Sequence, residues 1–398
     1  EKKDKDEKKD KDEKKDKDEK KDTDEKKDKE KDGDKDKDKA LFFATLRKRV
    51  DTYFKEKNIS KHYNGSMVFK TFVMLFLYIA PLASLMVFHQ ETWQIMIGFS
   101  IVGLAMAGIG MNVMHDANHN AYSANPMINK LVGYSLNMVG GTVFNWKLQH
   151  NILHHTYTNV YQMDDDIDDK MLFRFSPHSE LRKFHRFQHI YIFLFYSIMS
   201  LYWVTFKDLI QLIKYNKNGV SRATPKEYWK NAGILFVSKI IYLFYMFFVP
   251  IYFFNYSFGQ IFLGFLCLHI VCGLLLSVVF QLAHSVEEAS HPIQNDKSEI
   301  ENDWAIHQMN TTVNFARHNK LITWYVGGLN YQVEHHLFPN ICHIHYPQIA
   351  EIVKSTAEEF GVPYLETPTF WSAFRSHINA LKTLGTKEEV TFAVHFDN

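Results

Sequence analysis

Residues 93–119, WQIMIGFSIVGLAMAGIGMNVMHDANH, decide how this chain is read. From Trp93 to Met114 there is no Asp, Glu, Lys or Arg, and a helix needs roughly 20 such apolar residues to cross a bilayer. The run ends on His115-Asp116-Ala117-Asn118-His119, where the four-residue spacing stacks two imidazoles on one helical face. Imidazole is a good ligand for iron, copper and zinc. The segment therefore predicts a membrane span whose end carries metal-binding groups.

Thr71 to Phe88 is a second uncharged run, and only His89-Gln90-Glu91-Thr92 separates the two, which predicts a tight helical hairpin. Ile240 to Ala283 is likewise free of charge and breaks once, at Asn255-Tyr256-Ser257-Phe258-Gly259-Gln260. That is long enough for a second hairpin, with Lys239 able to snorkel at its entry. The spans expected are about 71–88, 93–114, 236–254 and 260–283. Neither short turn contains Lys or Arg, whereas the flanks are rich in both. The positive-inside rule then puts the turns outside and the termini and histidines in the cytosol.

Ile190 to Phe206 is almost long enough to span as well. If it did, the later histidines would face the opposite side from the earlier ones. A shared metal site needs them together, so residues 190–206 are expected to lie at the membrane surface, which suits their Tyr, Phe and Trp content. Met127 to Phe144 reads as a weaker interfacial helix. The fold class expected is an all-α integral membrane protein, with two transmembrane hairpins, interfacial helices and a cytosolic cap bearing the histidines.

Two more clusters complete that cap: His150-Asn151-Ile152-Leu153-His154-His155 and Gln332-Val333-Glu334-His335-His336. The pattern HxxxH, HxxxHH and QxxHH resembles the membrane fatty-acid desaturase family, and more narrowly its front-end, Δ6-type branch, which is marked by Gln332 in place of a histidine. The run from Gly327-Gly328-Leu329-Asn330-Tyr331 through Gln332 to Leu337-Phe338-Pro339 is similar to that branch nearly letter for letter. The likeness runs from the first apolar span to near Leu384.

The resemblance implies a di-iron site with dioxygen as co-substrate, and a long-chain acyl substrate carried by coenzyme A or a phospholipid. Related stearoyl desaturases use an extra histidine outside the boxes, a role that falls here on His284, the residue after the fourth span. The implied ligands are His115, His119, His150, His154, His155, His284, His335 and His336. Gln332 could bind iron directly, bind through water, or only orient a neighbour; the sequence leaves these open. Asp116, Glu334 and the run Asp164-Asp165-Asp166 are candidates to receive the second N–H of a ligating histidine. Asn145 and Trp146 resemble family positions beside the substrate channel, whereas His318, His343 and His345 fall outside the ligand spacing, in polar loops. No His-Pro-Gly-Gly haem motif occurs, since His291-Pro292-Ile293-Gln294 lacks the glycines, so electrons are expected from a separate cytochrome b5 or ferredoxin.

Composition frames these readings. The chain is 46% hydrophobic and 15% aromatic although residues 1–39 repeat Glu-Lys-Lys-Asp-Lys-Asp with almost no apolar residue. Such a stretch buries too little surface to offset its ordering entropy and is expected to be a disordered tail, followed by a desaturase domain at 40–385 and a short tail at 386–398. Cys267, Cys272 and Cys342 make neither a disulfide framework nor a zinc motif. A net charge of +1 without a basic groove gives no reason to expect nucleic acid. The opening repeat is not a signal peptide, and the membrane expected is the endoplasmic reticulum in a eukaryote or the inner membrane in a bacterium. Rival readings are a hydroxylase, alkane monooxygenase or sphingolipid desaturase of the same superfamily, and a divalent-metal transporter. The last would hold its ligands within the spans, not beyond their ends.

Overall fold

The computed structural model describes residues 41–167, 171–295, 300, 303–387 and 390. The expected tail at 1–39, and all but three residues of that at 386–398, lie outside these.

A helix at 41–57 (α1) opens the described chain. Phe42, Leu46, Val50 and Phe54, spaced by four, are buried against Val333, Leu337, Phe338, Ile349, Ala350 and Val353, as a single apolar stripe requires. Next come α2, Gly65–Val87, and α3, Thr92–Asn118. Asn64 caps the first by accepting from Met67 N, and a reciprocal Glu91–Gln94 capping box starts the second. Farther along are α4 (the helical turns from Val143 to Tyr157), α5 (Lys183–Lys217), α6 (Pro225–Phe253) and α7 (Phe258–His284). Thr224 with Glu227 and Ser257 with Gln260 form the capping boxes that start α6 and α7. Short helices α8 (Trp304–Thr311) and α9 (Gln332–Leu337) precede α10 (Tyr346–Glu359) and α11 (Phe370–Thr386).

The expectation of an all-α chain needs one addition. Strands β1 (Asn314–Phe315) and β2 (Glu366–Thr367) pair in parallel, Asn314 with Glu366 and Phe315 with Thr367, tying the approach to the third histidine cluster to the start of α11.

Helix α7 packs between α3 and α5, and small residues allow the approach. A Cβ on Gly103 of α3 would stand 2.5 Å from Leu268 O of α7, and one on Gly273 of α7 would stand 2.5 Å from Tyr196 O of α5. Close backbone contact through glycine is how helices associate where lipid removes the hydrophobic drive. The outer faces are apolar and bare: Phe69, Phe72 and Phe76 of α2 are 66–68% exposed. That is an energetic liability in water and the proper surface for hydrocarbon. The protein is a membrane protein.

Among the described residues five helices, not four, are long and apolar enough to cross a membrane: α2, α3, α5, α6 and α7. The addition is α5, a 35-residue run that contains the stretch expected at the interface. Near its start Gln188 Nε2 donates to Leu381 O of α11 (2.8 Å). Near its end Gln211, Lys214 and Tyr215 all bond Asp165. Between them a π-helical turn at Trp203–Lys207 frees backbone carbonyls, and Lys239 of α6 donates to Val204 O (2.8 Å) and pairs with Asp208 (3.0 Å). The interfacial helix expected at 127–144 is broken into Pro126–Gly133, Ser135–Met138 and a new start at Val143. Gly140, at φ +89°, makes the break.

Candidate metal centre

Each histidine cluster sits at the end of a helix whose local winding aims it inward. In α3 a π-helical turn at Ile109–Val113 adds one residue to the register immediately before His115. In α4 a longer π segment, Lys147–His154, presents His150, His154 and His155. His284 is the last residue of α7, and Gln332, His335 and His336 lie on the short α9. All eight histidines and Gln332 are buried, none more than 8% exposed.

They gather into two adjoining pockets. In the first, the ring nitrogens of His115, His119, His150 and His335 lie within 4.8 Å of one another. In the second, those of His154, His284 and His336 do the same. His155 forms a third such group with His335 and His336, and so joins the two. The Gln332 amide lies in the second pocket, Nε2 at 2.8 Å from His284 Nε2 and 3.3 Å from His336 Nε2.

The donor atoms are the kind a metal needs. His119 Nε2, His154 Nε2, His335 Nε2 and both ring nitrogens of His155 are buried without a hydrogen-bond partner. His115 Nε2 and His150 Nε2 face each other at 3.1 Å. An unpaired buried polar atom costs about 1–3 kcal/mol, so a cluster of them is strained unless an ion fills it. Burial, reinforced by neighbouring imidazoles, pushes His155, His335 and His336 well below the ordinary histidine pKa. They are neutral, with lone pairs free to ligate.

Partners behind the rings choose the tautomers. Carboxylate and carbonyl oxygens only accept, so the nitrogen facing one must carry the proton. His154 Nδ1 donates to Asp164 Oδ2 (2.9 Å), His336 Nδ1 to Gln308 Oε1 (2.7 Å), and His284 Nδ1 to Thr311 O (3.4 Å). In all three Nε2 is left toward the pocket. Thr158 Oγ1 also donates to Gln308 Oε1 (2.8 Å), and Tyr346 OH stands 3.3 Å from His335 Nδ1. Burial lowers the proton affinity of His154, but the Asp164 charge outweighs it and holds that imidazole above its usual value.

Other carboxylates singled out from the sequence take different partners. Asp116 accepts from Cys342 Sγ (3.0 Å) and His343 Nδ1 (2.8 Å), and Lys70 reaches the far side of that ring (2.8 Å to Nε2). His343 is thus buried in an ionic network instead of lying in a polar loop, and His345 is buried too, donating to His62 O (3.2 Å). Of these three, only His318 is exposed. Glu334 accepts from Asn314 (2.9 Å) and Tyr364 (2.8 Å), with burial raising its pKa to about 7. Within the aspartate run, Asp164 serves His154, Asp165 holds α5, and Asp166 stands 3.8 Å from His150 Nδ1. Thr158, Gln308, Thr311 and Tyr346 have no marker in the sequence, although Thr158 does follow His154 by one helical turn.

A cavity of about 220 Å³ opens onto the first pocket. Met106, Met111, Leu136, Phe195 and Phe280 line its apolar part, while His115, His150 and Gln332 close its polar end. Trp146 lies along it, its ring 4.5 Å from that of His150. Asn145 is farther back, donating to Asp208 O (2.6 Å).

An apolar cavity ending on convergent histidines at the ends of membrane helices is what oxidation of a hydrocarbon chain requires, and residues 91–368 match the family described as Fatty acid desaturase. The chain belongs to that family. It is 37% identical over 348 residues to the sn-1 linoleoyl-lipid 6-desaturase of Synechocystis sp., covering 86% of this chain and 95% of the relative. The corresponding enzyme of Arthrospira platensis is 36% identical, over 87% of this chain and 94% of the relative. An acyl-lipid (8-3)-desaturase of Physcomitrium patens is 33% identical, over 87% of this chain and 72% of the relative. The desaturase is an oxidoreductase that introduces double bonds into fatty acyl chains, and its likeness is to the front-end branch.

Proposed function

We propose that this desaturase inserts a cis double bond into an already unsaturated, long-chain acyl group carried on a membrane lipid, on the carboxyl side of the existing double bond. The observation that carries the reading is the apolar cavity ending at His115, His150 and Gln332. Two of the relatives are named for a linoleoyl-lipid, which favours a lipid-bound acyl chain over a coenzyme A ester.

In this reading His115, His119, His150 and His335 would hold one iron and His154, His284 and His336 a second, with His155 within reach of both. Iron with dioxygen supplies the oxidising power to remove hydrogen from unactivated methylenes, which no side-chain acid or base can do. The protein does the rest. Met106, Met111, Leu136, Phe195 and Phe280 hold the acyl chain dry and extended; Trp146 sets how closely it approaches His150 and His115. Asp164, Gln308 and Thr311 keep three imidazoles in the ligating tautomer. Gln332 stands beside the second pocket with its Nε2 facing His284 Nε2 and His336 Nε2, so a ligand role would require the amide to turn its Oε1 inward. Its amide oxygen would be a weaker ligand than an imidazole.

The same reading gives four spans, α2, α3, α6 and α7, with the histidine cap in the cytosol. Both ends of α5 contact segments of that cap, at Leu381 and Asp165, which supports a helix that enters and leaves on one side. The reading requires two electrons per turnover from a one-electron carrier. The test is expression in yeast supplied with linoleic acid, with fatty acids profiled by gas chromatography and lipid classes separated first. A new, more unsaturated acyl chain within a phospholipid is expected. Absence of any new product, with oxygen and a working donor present, would refute the assignment.

A further inference from the structure

On the exposed side of α1, next to the start of α8, runs a groove with about 700 Å³ of open space. Arg47, Lys48 and Lys55 line it from α1, and Phe43, Asp303 and Trp304 complete it. Among the described residues no ion pair engages any of the three cations. Of the acidic groups nearby, Asp51 pairs with Lys61, while Asp303 caps α8 by accepting from Ala305 N (3.0 Å) and keeps its charge, one carboxylate against three cations. The charge left uncompensated is positive. Trp304 sits in the same groove, 37% exposed and packed edge-on against Phe43. Its Nε1–H donates to the backbone carbonyl of His155 (3.0 Å). A surface indole is thereby one hydrogen bond from the histidine that joins the two pockets.

The reaction needs a partner at such a place. Removing two hydrogen atoms from an acyl chain supplies two electrons, and reducing dioxygen to two waters takes four. The missing two, with two protons, must come from a carrier oxidised twice by one electron. We propose that this groove is the docking surface for an acidic, one-electron carrier protein, with Trp304 its contact nearest the metal centre. This rests on the function proposed above. Charge complementarity favours that occupant, because unpaired cations around an aromatic residue steer an acidic surface to a defined spot. The competing occupant is this chain's own residues 1–39, which carry carboxylates as well as lysines.

The test uses the full chain in nanodiscs of zwitterionic lipid. The probes are an acidic plant-type [2Fe–2S] ferredoxin and the acidic haem domain of cytochrome b5, with binding read by surface plasmon resonance over a salt series. At least one probe should bind at low salt. The double variant Arg47→Glu, Lys48→Glu should weaken it by about 30-fold or more, a difference that shrinks as salt screens the charges. Both residues are exposed and leave the buried face of α1 intact, so an unchanged thermal midpoint separates lost docking from lost folding. Trp304→Phe should bind within about 3-fold of the parent yet oxidise the carrier more slowly in single turnover. Binding by neither probe, equal binding by parent and double variant, or binding seen only after deletion of residues 1–39 would overturn the proposal. These readouts do not depend on product formation, so a failure of the desaturase assignment itself would register in the yeast profile instead.

Discussion

Replacing Asp164 tests whether the residues behind the histidines hold the metal centre together. Asp164 Oδ2 accepts from His154 Nδ1 (2.9 Å) and Asn159 N (3.0 Å), while Oδ1 accepts from Asp166 N (3.0 Å). Both oxygens are committed to donors, so an asparagine must turn its NH₂ toward one of them. The milder arrangement keeps an oxygen on His154 and gives up the turn bond to Asp166, replacing a charge-assisted contact by a neutral one about half as strong. Alanine leaves His154 Nδ1 with no acceptor in a site where neither side chain is exposed, and frees the ring to rotate or change tautomer. Losing such a partner typically costs about 10–100-fold in metal affinity. Asp164→Asn is expected near the lower end, about 1.4 kcal/mol, and Asp164→Ala near the upper, about 2.7 kcal/mol. Iron retained against a graded chelator, measured by mass spectrometry on monodisperse protein in detergent, reads both. Asp165→Asn is the control, because Asp165 bonds Gln211, Lys214 and Tyr215 and no histidine. Parental iron affinity in both Asp164 variants, or an equal loss in Asp165→Asn, would refute the argument.

Single changes of His115, His154 or His335 to Ala should abolish desaturation and lower bound iron without affecting membrane insertion; normal product yield would remove that residue from the ligand set. Gln332→Ala should retain more iron than His335→Ala, since a carboxamide binds less strongly than an imidazole, and equal emptying would make Gln332 a primary ligand. Gly103→Leu should separate α3 from α7, because a Cβ there meets Leu268 O at 2.5 Å, and cost about 1–3 kcal/mol in detergent melts. Gly65→Leu, with nothing within 4 Å, should not. A cysteine at Asn218 should resist an impermeant reagent applied from outside, whereas one at Glu91 should react; outside labelling at Asn218 would make α5 a fifth span.

The long apolar helices α2, α3, α6 and α7 were legible because an uncharged run of sufficient length has few alternatives in either solvent. Composition could not rank α5, since its 35 residues meet the same criterion of length and hydropathy as the others. Its contacts at both ends, with Leu381 and Asp165, are what the proposal of four spans rests on. α1 was readable in principle from the four-residue spacing of Phe42, Leu46, Val50 and Phe54, but its partners Val333 and Ile349 lie almost 300 residues away. The box histidines announced themselves by local spacing; of the residues behind them only Asp164, in the aspartate run, was marked in the sequence. Gln308 serves His336 across 28 residues, and Thr158 approaches the same ring across 178. Adjacency also misleads on a helix. Asp116 and Glu334 are each next to a histidine, but successive residues point about 100° apart, and both carboxylates turn away to His343 and Tyr364.

The two pockets also differ in how firmly they are held, and the difference follows the cavity. In the second, His154, His284 and His336 are each tied through Nδ1 to an acceptor from another part of the chain. In the first, His335 has Tyr346 at 3.3 Å and His150 has Asp166 at 3.8 Å, while His115, His119 and His150 rest against the Trp146 ring. Hydrogen bonds fix both the angle and the tautomer of an imidazole, whereas packing fixes mainly its position. Both box histidines that line the apolar cavity, His115 and His150, belong to the first pocket, and from the second only Gln332 reaches it. If the pockets hold iron as proposed, a second pocket fixed by hydrogen bonds would stay in place while the acyl chain and Trp146 adjusted the first. In the proposed reading Trp146, which lines the cavity and packs on His115, His119 and His150, would be the side chain through which substrate shape bears on the metal centre.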